Sequence, residues 1–450
     1  MRKILTIVLS MLLLSTAFAG CAEPNNSQRN LILWHSMADE AGAQLQSFVD
    51  EFNQSIGAQL GITVESVFQG SYADATTQLR IILQSGQYDQ LPDVMQIDAT
   101  GITDFMATEF AFTVDDALAR GWEYDLSQIL KIPLTAWNFG GVQLGMPFNS
   151  STTVMYYNRT ILEAAGITDI PTTFGEIIEV ASLLPNTNPA GRELSAFAQI
   201  PSTPLLANWI GQIPGQGGVN ASYIVNNRNG RDAMATHLVS DSEGTLELFL
   251  GAWKNMYDSG ALLNQSDGLR EMFLAEQLVF FTGSTSMMAS LLTQIDGRFE
   301  LGCTYFPRIH ENANFGATVS GAAMFMFDKG DEDVLFAAWE LLKHLASPDI
   351  QARFSVATGY FPINRYSYDI ELYLDYLTRY PQMEVGIRQV NITSPDMAGV
   401  IVGPSRDFFL EIQNQVSNML SSGTNPANAA ESMAAALNSL LEQYVIANPQ

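Results

Sequence analysis

The chain has 450 residues, with 21 Lys and Arg against 47 Asp and Glu, giving a formal net charge of −26. Only 15% of residues are charged while 47% are hydrophobic. That mixture is too apolar for a disordered chain and too acidic for a protein that grips nucleic-acid phosphates. Two cysteines without a CxxC pair and four scattered histidines argue against a disulfide framework or a cysteine-based zinc site. At about 150 residues per domain the length predicts two or three domains, enough to bury a sizeable core.

Arg2 and Lys3 precede an apolar run from Ile4 to Leu14, and small residues lead to Ala19-Gly20-Cys21. This is the outline of a secretory signal, with an apolar run too short to span a bilayer comfortably. It resembles a bacterial lipoprotein signal, which implies that Cys21 carries a lipid and tethers the chain to a membrane. Phe18 stands where that motif usually has Leu, so cleavage near Gly20 without lipidation stays open. Either cleavage removes two bases and no acid, leaving the mature chain more acidic still. With Cys21 lipidated, Cys303 has no partner within the chain and is expected as a small buried hydrophobe or a free thiol. Residues 22–30 are polar and aperiodic, the composition of a tether.

Leu31 to Trp34 reads as a strand that runs into His35-Ser36. Ala41, Leu45, Phe48, Val49 and Phe52 then recur at helical spacing, with Ser36 and Asp39 as an S-x-x-D capping signal. Ile62 to Phe68 is a second strand, followed by Gln69-Gly70-Ser71-Tyr72 and a helix bearing Ala75, Leu79 and Ile82. Pro92 opens a third strand that ends at Asp98. This β-α-β-α-β rhythm predicts a parallel sheet covered by helices. In such sheets ligands sit beyond the carboxyl ends of the strands, a rim that collects His35, Ser36, Tyr72 and Asp98. Capping is the simpler role for Ser36, and Asp98 can also cap a following helix.

Beyond Leu144 the pattern changes. Met146 to Thr153 leads into an extended run, Val154 to Asn158, followed by a helix at Ile161 to Ala165, and residues 185–232 read as an irregular region rich in Pro, Gly and Asn. Helices are predicted over Leu246 to Tyr257 and Leu269 to Ala275, and strands over Leu278 to Phe281, Tyr305-Phe306 and Ala322 to Phe327. Val334 to Leu345 is an amphipathic helix, and the last 45 residues are helical with a break at Gly423 to Pro426.

HExxH, GxSxG, P-loop and GxGxxG motifs are absent from the sequence, so it offers no catalytic residue and no cofactor site. Asp328 to Asp333 looks like a calcium loop, but Trp339 occupies the position that needs a bidentate Glu, so a solvated helix start is expected and no metal. Carboxylates are abundant, and a glycosidase-like pair is not excluded by counting them.

Trp34-His35-Ser36-Met37, Pro147-Phe148-Asn149-Ser150-Ser151-Thr152 with Tyr156-Tyr157-Asn158, and Thr358-Gly359-Tyr360-Phe361-Pro362-Ile363 appear in this order. In these strings the chain resembles the extracytoplasmic solute-binding proteins of ABC importers, family 1, a carbohydrate-type cluster. Within it the similarity is to the glycerol-3-phosphate-binding branch. The resemblance runs from about Leu31 to Val416. It implies an α/β fold of two lobes, the type II periplasmic-binding-protein arrangement, with each lobe a helix-covered sheet and the ligand in the cleft between them. Residues 31–150 with 285–328 would form the first lobe, and 151–284 with 329–450 the second. The chain would cross between them near Asn149 to Thr153, Gly283 to Ser290 and Lys329. The implied partners are a small polyol phosphate or sugar, the transmembrane permease subunits, and the membrane through the N-terminal lipid. A monomer is expected, without nucleic acid or enzymatic activity.

Carried over by position, the family's ligand contacts fall on Tyr72, Ser151, Ser284, Gly321, Tyr360 and Arg406. Hydroxyls, a close backbone amide and an arginine suit an anionic polyol. An ion pair with Asp407 or Glu411 is the competing role for Arg406. Two departures bear on the ligand. Ala99 stands where the branch has a Glu, with Asp98 one residue earlier as in sugar-binding relatives. The branch's paired tryptophans have no counterpart in Ile200 to Pro204, and Trp209 lies out of register.

Overall fold

The computed structural model of the chain describes residues 29–448. The secretion signal, Cys21 and residues 22–28 lie outside the described residues. Arg29 and Asn30, expected in the tether, already belong to the first strand, where Arg29 pairs with Asp331 and Asp333.

The frame is carried by β1 (Arg29–His35), β2 (Ile62–Phe68), β3 (Val94–Asp98), β4 (Met146–Asn158), β5 (Ser195–Ala198), β6 (Leu278–Ser284), β7 (Leu301–Tyr305) and β8 (Val319–Phe327). β1 pairs parallel with β2 and β3, as the β-α-β rhythm predicts, while β8 inserts antiparallel between β3 and β4. β4 is shared. Met146 to Thr152 pair with β8, and from Thr153 onward the strand pairs with β6 on one side and β7 on the other. The expected crossing at Asn149 to Thr153 therefore coincides with a change of partners within one strand. Pro147 has no N–H to give a ladder, and it sits where the β4–β8 register slips between Ala322 and Ala323.

Strand alternation separates the faces of the first sheet. Leu31, Leu33 and Val94 point to one core, with Phe48 and Phe52 of α1 (Asp39–Phe52). Trp34, Met95 and Ile97 point to the other, with Leu79 and Ile82 of α2 (Tyr72–Ser85). A second pair of cores flanks β4, β5 and β6: Met155 and Tyr157 face one, Val154 and Tyr156 the other.

The packing departs from the expected lobe boundaries at two places. α3 (Met288–Ile295) packs with Val154 and Tyr156, not with the first sheet. α4 (Glu332–Leu345) and α5 (Pro348–Thr358) place Leu335, Trp339, Leu342 and Phe354 in the core of Leu31 and Phe48. Lys329, expected at a crossing, stays on the first sheet, bonded at 2.8 Å to Asp93 and at 2.8 Å to the Leu91 carbonyl. The apolar stripe of a helix reports that it is buried; it does not report against which sheet. α6 (Ser405–Ser422) and α7 (Pro426–Ala447) then pack against the second pair of cores, while Ile401 joins the core of Trp34 and Met95. The former calcium-loop candidate is a helix start, with the Asp331 carboxylate accepting from the backbone N–H groups of Asp333 and Val334. Cys303 is a free thiol packed against the second cores.

Candidate functional site

A cavity of about 570 Å³ opens between residues of the first sheet and residues that pack with the second. Asp98, Trp137, Ser202, Gly321, Arg231 and Arg406 are among its lining residues.

Tyr72 is placed by the start of α2. Ser71 accepts from the Asp74 N–H at 3.2 Å, and the Asp74 carboxylate accepts from the Ser71 N–H at 2.9 Å. This reciprocal cap fixes Tyr72 as the first helical residue. Its hydroxyl accepts from Asn149 Nδ2 at 3.0 Å, Asn149 Oδ1 accepts from Gln96 Nε2 at 2.8 Å, and Gln96 Oε1 accepts from the Ser36 N–H at 2.9 Å. Gln96 and Asn149 are fully buried, so direct hydrogen bonds link the end of β1 to β3, β4 and the start of α2. Burial pushes the Tyr72 hydroxyl well above its ordinary range, aided by Tyr360 and Asp98 nearby and opposed by the Asn149 bond.

Asp98 ends β3. Its Oδ1 accepts from the N–H and hydroxyl of Thr100, at 3.1 and 2.5 Å. Those bonds would lower its pKa, yet burial outweighs them and holds it above the usual carboxylate value. The following helix, Ile102–Met106, has Gly101 as its cap, so Asp98 closes a turn and does not cap that helix. The capping role expected of Ser36 is also corrected. Asp39 takes a left-handed conformation (φ 49°), Ala38 is the cap position, and the Ser36 hydroxyl is buried without a partner among the described residues. The His35 ring accepts locally from the Met37 N–H at 3.3 Å.

Gly321 has φ +109°, and a Cβ there would stand 1.8 Å from the Asn149 carbonyl oxygen. Only glycine lets β8 approach β4 that closely. Tyr360 follows the left-handed Gly359 that ends α5, and its ring stacks on Phe354, with centroids 5.6 Å apart. One residue further, the Phe361 N–H donates to the Ser150 carbonyl at 3.0 Å, joining two of the motif strings. Arg406 lies in the first turn of α6 and lines the cavity. Among the described residues it has no ion pair, and Glu411 is engaged by Gln415 at 2.7 Å.

Asp98, Gly321 and Arg406 thus meet in one cavity; Tyr72, which lies near both Asp98 and Tyr360, is not among its lining residues, and neither is Tyr360. Ser151 and Ser284 do not line it. Ser151 is buried on β4 opposite Ser320, and the Ser284 hydroxyl bonds that of Ser286 at 2.8 Å. Trp209 is wholly buried, its indole N–H donating to the Pro307 carbonyl at 3.1 Å, so it forms no ligand wall. The reading of the sequence missed Trp137, Arg80 and Arg231, which no spacing rule marks. Arg80 is neutralised by a bidentate bond to Asp104, at 3.0 and 2.8 Å.

Fold and cavity together define a two-lobe solute-binding protein of mixed α/β architecture. The family model described as "Bacterial extracellular solute-binding protein" matches residues 47–384, and the chain belongs to that family. Its place is accordingly extracytoplasmic, and among the described residues no helix is long and apolar enough to cross a membrane. Over 366 residues, 79% of each chain, it is 25% identical to the sn-glycerol-3-phosphate-binding periplasmic protein UgpB of Yersinia pseudotuberculosis. It is 22% identical over 444 residues, 96% of each, to UgpB of Salmonella typhimurium. Among solved structures it is similar to UgpB of Mycobacterium tuberculosis in complex with glycerophosphocholine (TM-score 0.74, 18% identity, covering 92% of this chain and 99% of that one). The cyclic alpha-maltosyl-1,6-maltose binding protein of Arthrobacter globiformis is similar to the same degree (TM-score 0.74, 18% identity, 92% and 99%).

Proposed function

We propose that the chain is the substrate-binding subunit of an ABC import system, capturing glycerol 3-phosphate or a related glycerophospho-compound for its permease. Arg406 carries the reading: a cation without an ion pair among the described residues, in the same cavity as Asp98 and Gly321. Guanidinium bonds to a phosphate are charge-assisted and bidentate, about twice as strong as neutral ones. Asp98 can accept from a glycerol hydroxyl. The names of the UgpB relatives agree with this chemistry. Capture would occur on a chain tethered to the membrane through a lipid on Cys21.

A neutral mono- or oligosaccharide is the second reading, favoured by Asp98 together with Trp137 and Phe409 in the cavity wall. Binding without turnover is proposed in both cases, since Asp98 is the carboxylate of the lining and glycoside hydrolysis generally uses two. The test is a thermal-shift screen, followed by calorimetry, of glycerol phosphates, glycerophosphodiesters and sugars on the mature chain. A bound ligand raises apparent stability by mass action. Binding of glycerol 3-phosphate, recovered unchanged, is the expected result; binding of sugars alone would transfer the conclusion to the second reading.

A further inference from the structure

Arg231 lines the same cavity, yet only 5% of its surface is exposed. Its Nε donates to the Gly399 carbonyl at 2.7 Å, and its Nη1 donates to the Ala136 carbonyl. Nη2 donates no hydrogen bond among the described residues, and no carboxylate there forms an ion pair with the guanidinium. Its neighbouring ion is another cation, Arg228, whose own charge is met by Asp232 at 2.9 Å. Burial, with Arg228, pushes the guanidinium down to about 10. A buried charge without a counter-charge is among the costliest arrangements a fold can hold.

The backbone that delivers this residue is also costly. Asn227, Arg228, Asn229 and Gly230 are consecutive left-handed residues, with φ of 53°, 51°, 59° and 76°. Left-handed runs of non-glycine residues are disfavoured at every position, and such strain gathers at ligand sites. The surroundings enforce it. Asn229 Oδ1 accepts from the N–H groups of Ile224 and Val225 at 2.7 and 3.2 Å, and its Nδ2 donates to the Ala398 carbonyl at 2.7 Å. A Cβ on Gly230 would stand 2.0 Å from the Ile401 carbonyl oxygen. Gly399, also without a side chain, leaves open the space beside Nη2.

We infer that Arg231 is a second cationic contact for the anionic group of the ligand, offering Nη2 from a fixed position while Arg406 approaches from the exposed start of α6. A guanidinium has five N–H donors, so two carbonyl bonds leave donors for a phosphate oxygen. Arg80 is spent on Asp104, so Arg231 and Arg406 supply the free positive charge of the lining against the single acid Asp98. The inference rests on the anionic-ligand reading above.

Calorimetry with sn-glycerol 3-phosphate and with glycerophosphocholine tests it on the wild-type chain and on Arg231→Gln, Arg231→Lys and Gly399→Ala. Arg231→Gln should weaken glycerol 3-phosphate by about tenfold or more, the worth of a hydrogen bond to a charged group. The singly charged diester should lose less, and Arg231→Lys should recover part of the loss. Gly399→Ala keeps the charge and places a Cβ 3.1 Å from Nη2, so it should weaken the same ligand. A crystal structure of the wild-type chain with glycerol 3-phosphate should show Nη2 within hydrogen-bond distance of a phosphate oxygen, whatever the variants do to folding. Wild-type binding with Arg231→Gln unchanged, or a complex without that contact, would overturn the inference and leave the anionic reading standing. A wild-type chain that binds neither phosphate would end both.

Discussion

The Asn149 side chain donates to the Tyr72 hydroxyl while accepting from Gln96, so one buried amide fixes the tyrosine that starts α2 to the centre of the first sheet. Asn149→Leu would strand the Gln96 amide and the Tyr72 hydroxyl together. Leaving such groups unpaired costs about 1 to 3 kcal/mol each, so a loss of roughly 2 to 4 kcal/mol is expected in urea unfolding. Tyr72→Phe removes one acceptor and should cost about 1 kcal/mol. Equal midpoints for Asn149→Leu and the wild type would show that the relay contributes nothing to stability.

Arg406 is exposed and has no ion pair among the described residues, so Arg406→Ala should leave the thermal midpoint within about a degree of wild type. Affinity for glycerol 3-phosphate should fall by roughly 10- to 100-fold, the value of about 1.5 to 3 kcal/mol for a lost charged hydrogen bond. Calorimetry showing undiminished affinity would remove the main support of the anionic reading.

Gly321 closes the approach of β8 to β4. Gly321→Ala adds a Cβ 1.8 Å from a backbone oxygen, at a φ of +109° that side chains rarely adopt. The ladder would have to part at the cavity wall. A destabilisation above about 2 kcal/mol is expected, with loss of ligand binding. A fully stable, binding-competent variant would contradict the assigned geometry.

Asp98 gives a pH signature of known sign. Its pKa is raised in the folded chain by burial, so the folded state binds this proton more readily than the unfolded state does. Its contribution to stability is full below the unfolded carboxylate value and is lost as pH rises through the raised folded value. Asp98→Asn keeps an oxygen for Thr100 and removes the buried charge. It should therefore stabilise the chain at neutral pH, with the advantage shrinking as pH falls through the folded value of Asp98. Thermal midpoints measured across that range provide the check; a gain that grows toward acid would reverse the assignment.

Much of the frame is legible in the sequence because a half-buried strand writes its register into alternation, as in Leu31 and Leu33 against Ile32 and Trp34. Amphipathic spacing likewise locates Val334 to Leu345, but says nothing about its partner, which is how the lobe boundary at 329 misleads. The Ser36 cap fails because Asp39 turns left-handed, a local event with no periodic trace. Of the cavity lining, Asp98, Gly321 and Arg406 are legible from a strand end and matched motifs. Arg231 is not, because its meaning lies in having no acid beside it in space. The run Asn-Asn-Arg-Asn-Gly, built of residues that tolerate left-handed backbone, is the trace it leaves.

β8 lies between β3 and β4, although more than 150 residues separate it in sequence from the end of β4. During synthesis the first sheet therefore has a gap at its middle until ribosomes have passed Phe327. Contacts between segments so distant in sequence form slowly, and domains whose core waits for them are late to fold. For an extracytoplasmic protein that delay is useful, since a secretion pore that threads extended chains needs a substrate still unfolded. Nascent chains arrested before Val319 should remain protease-sensitive throughout, and those arrested well beyond α5 should yield a resistant core.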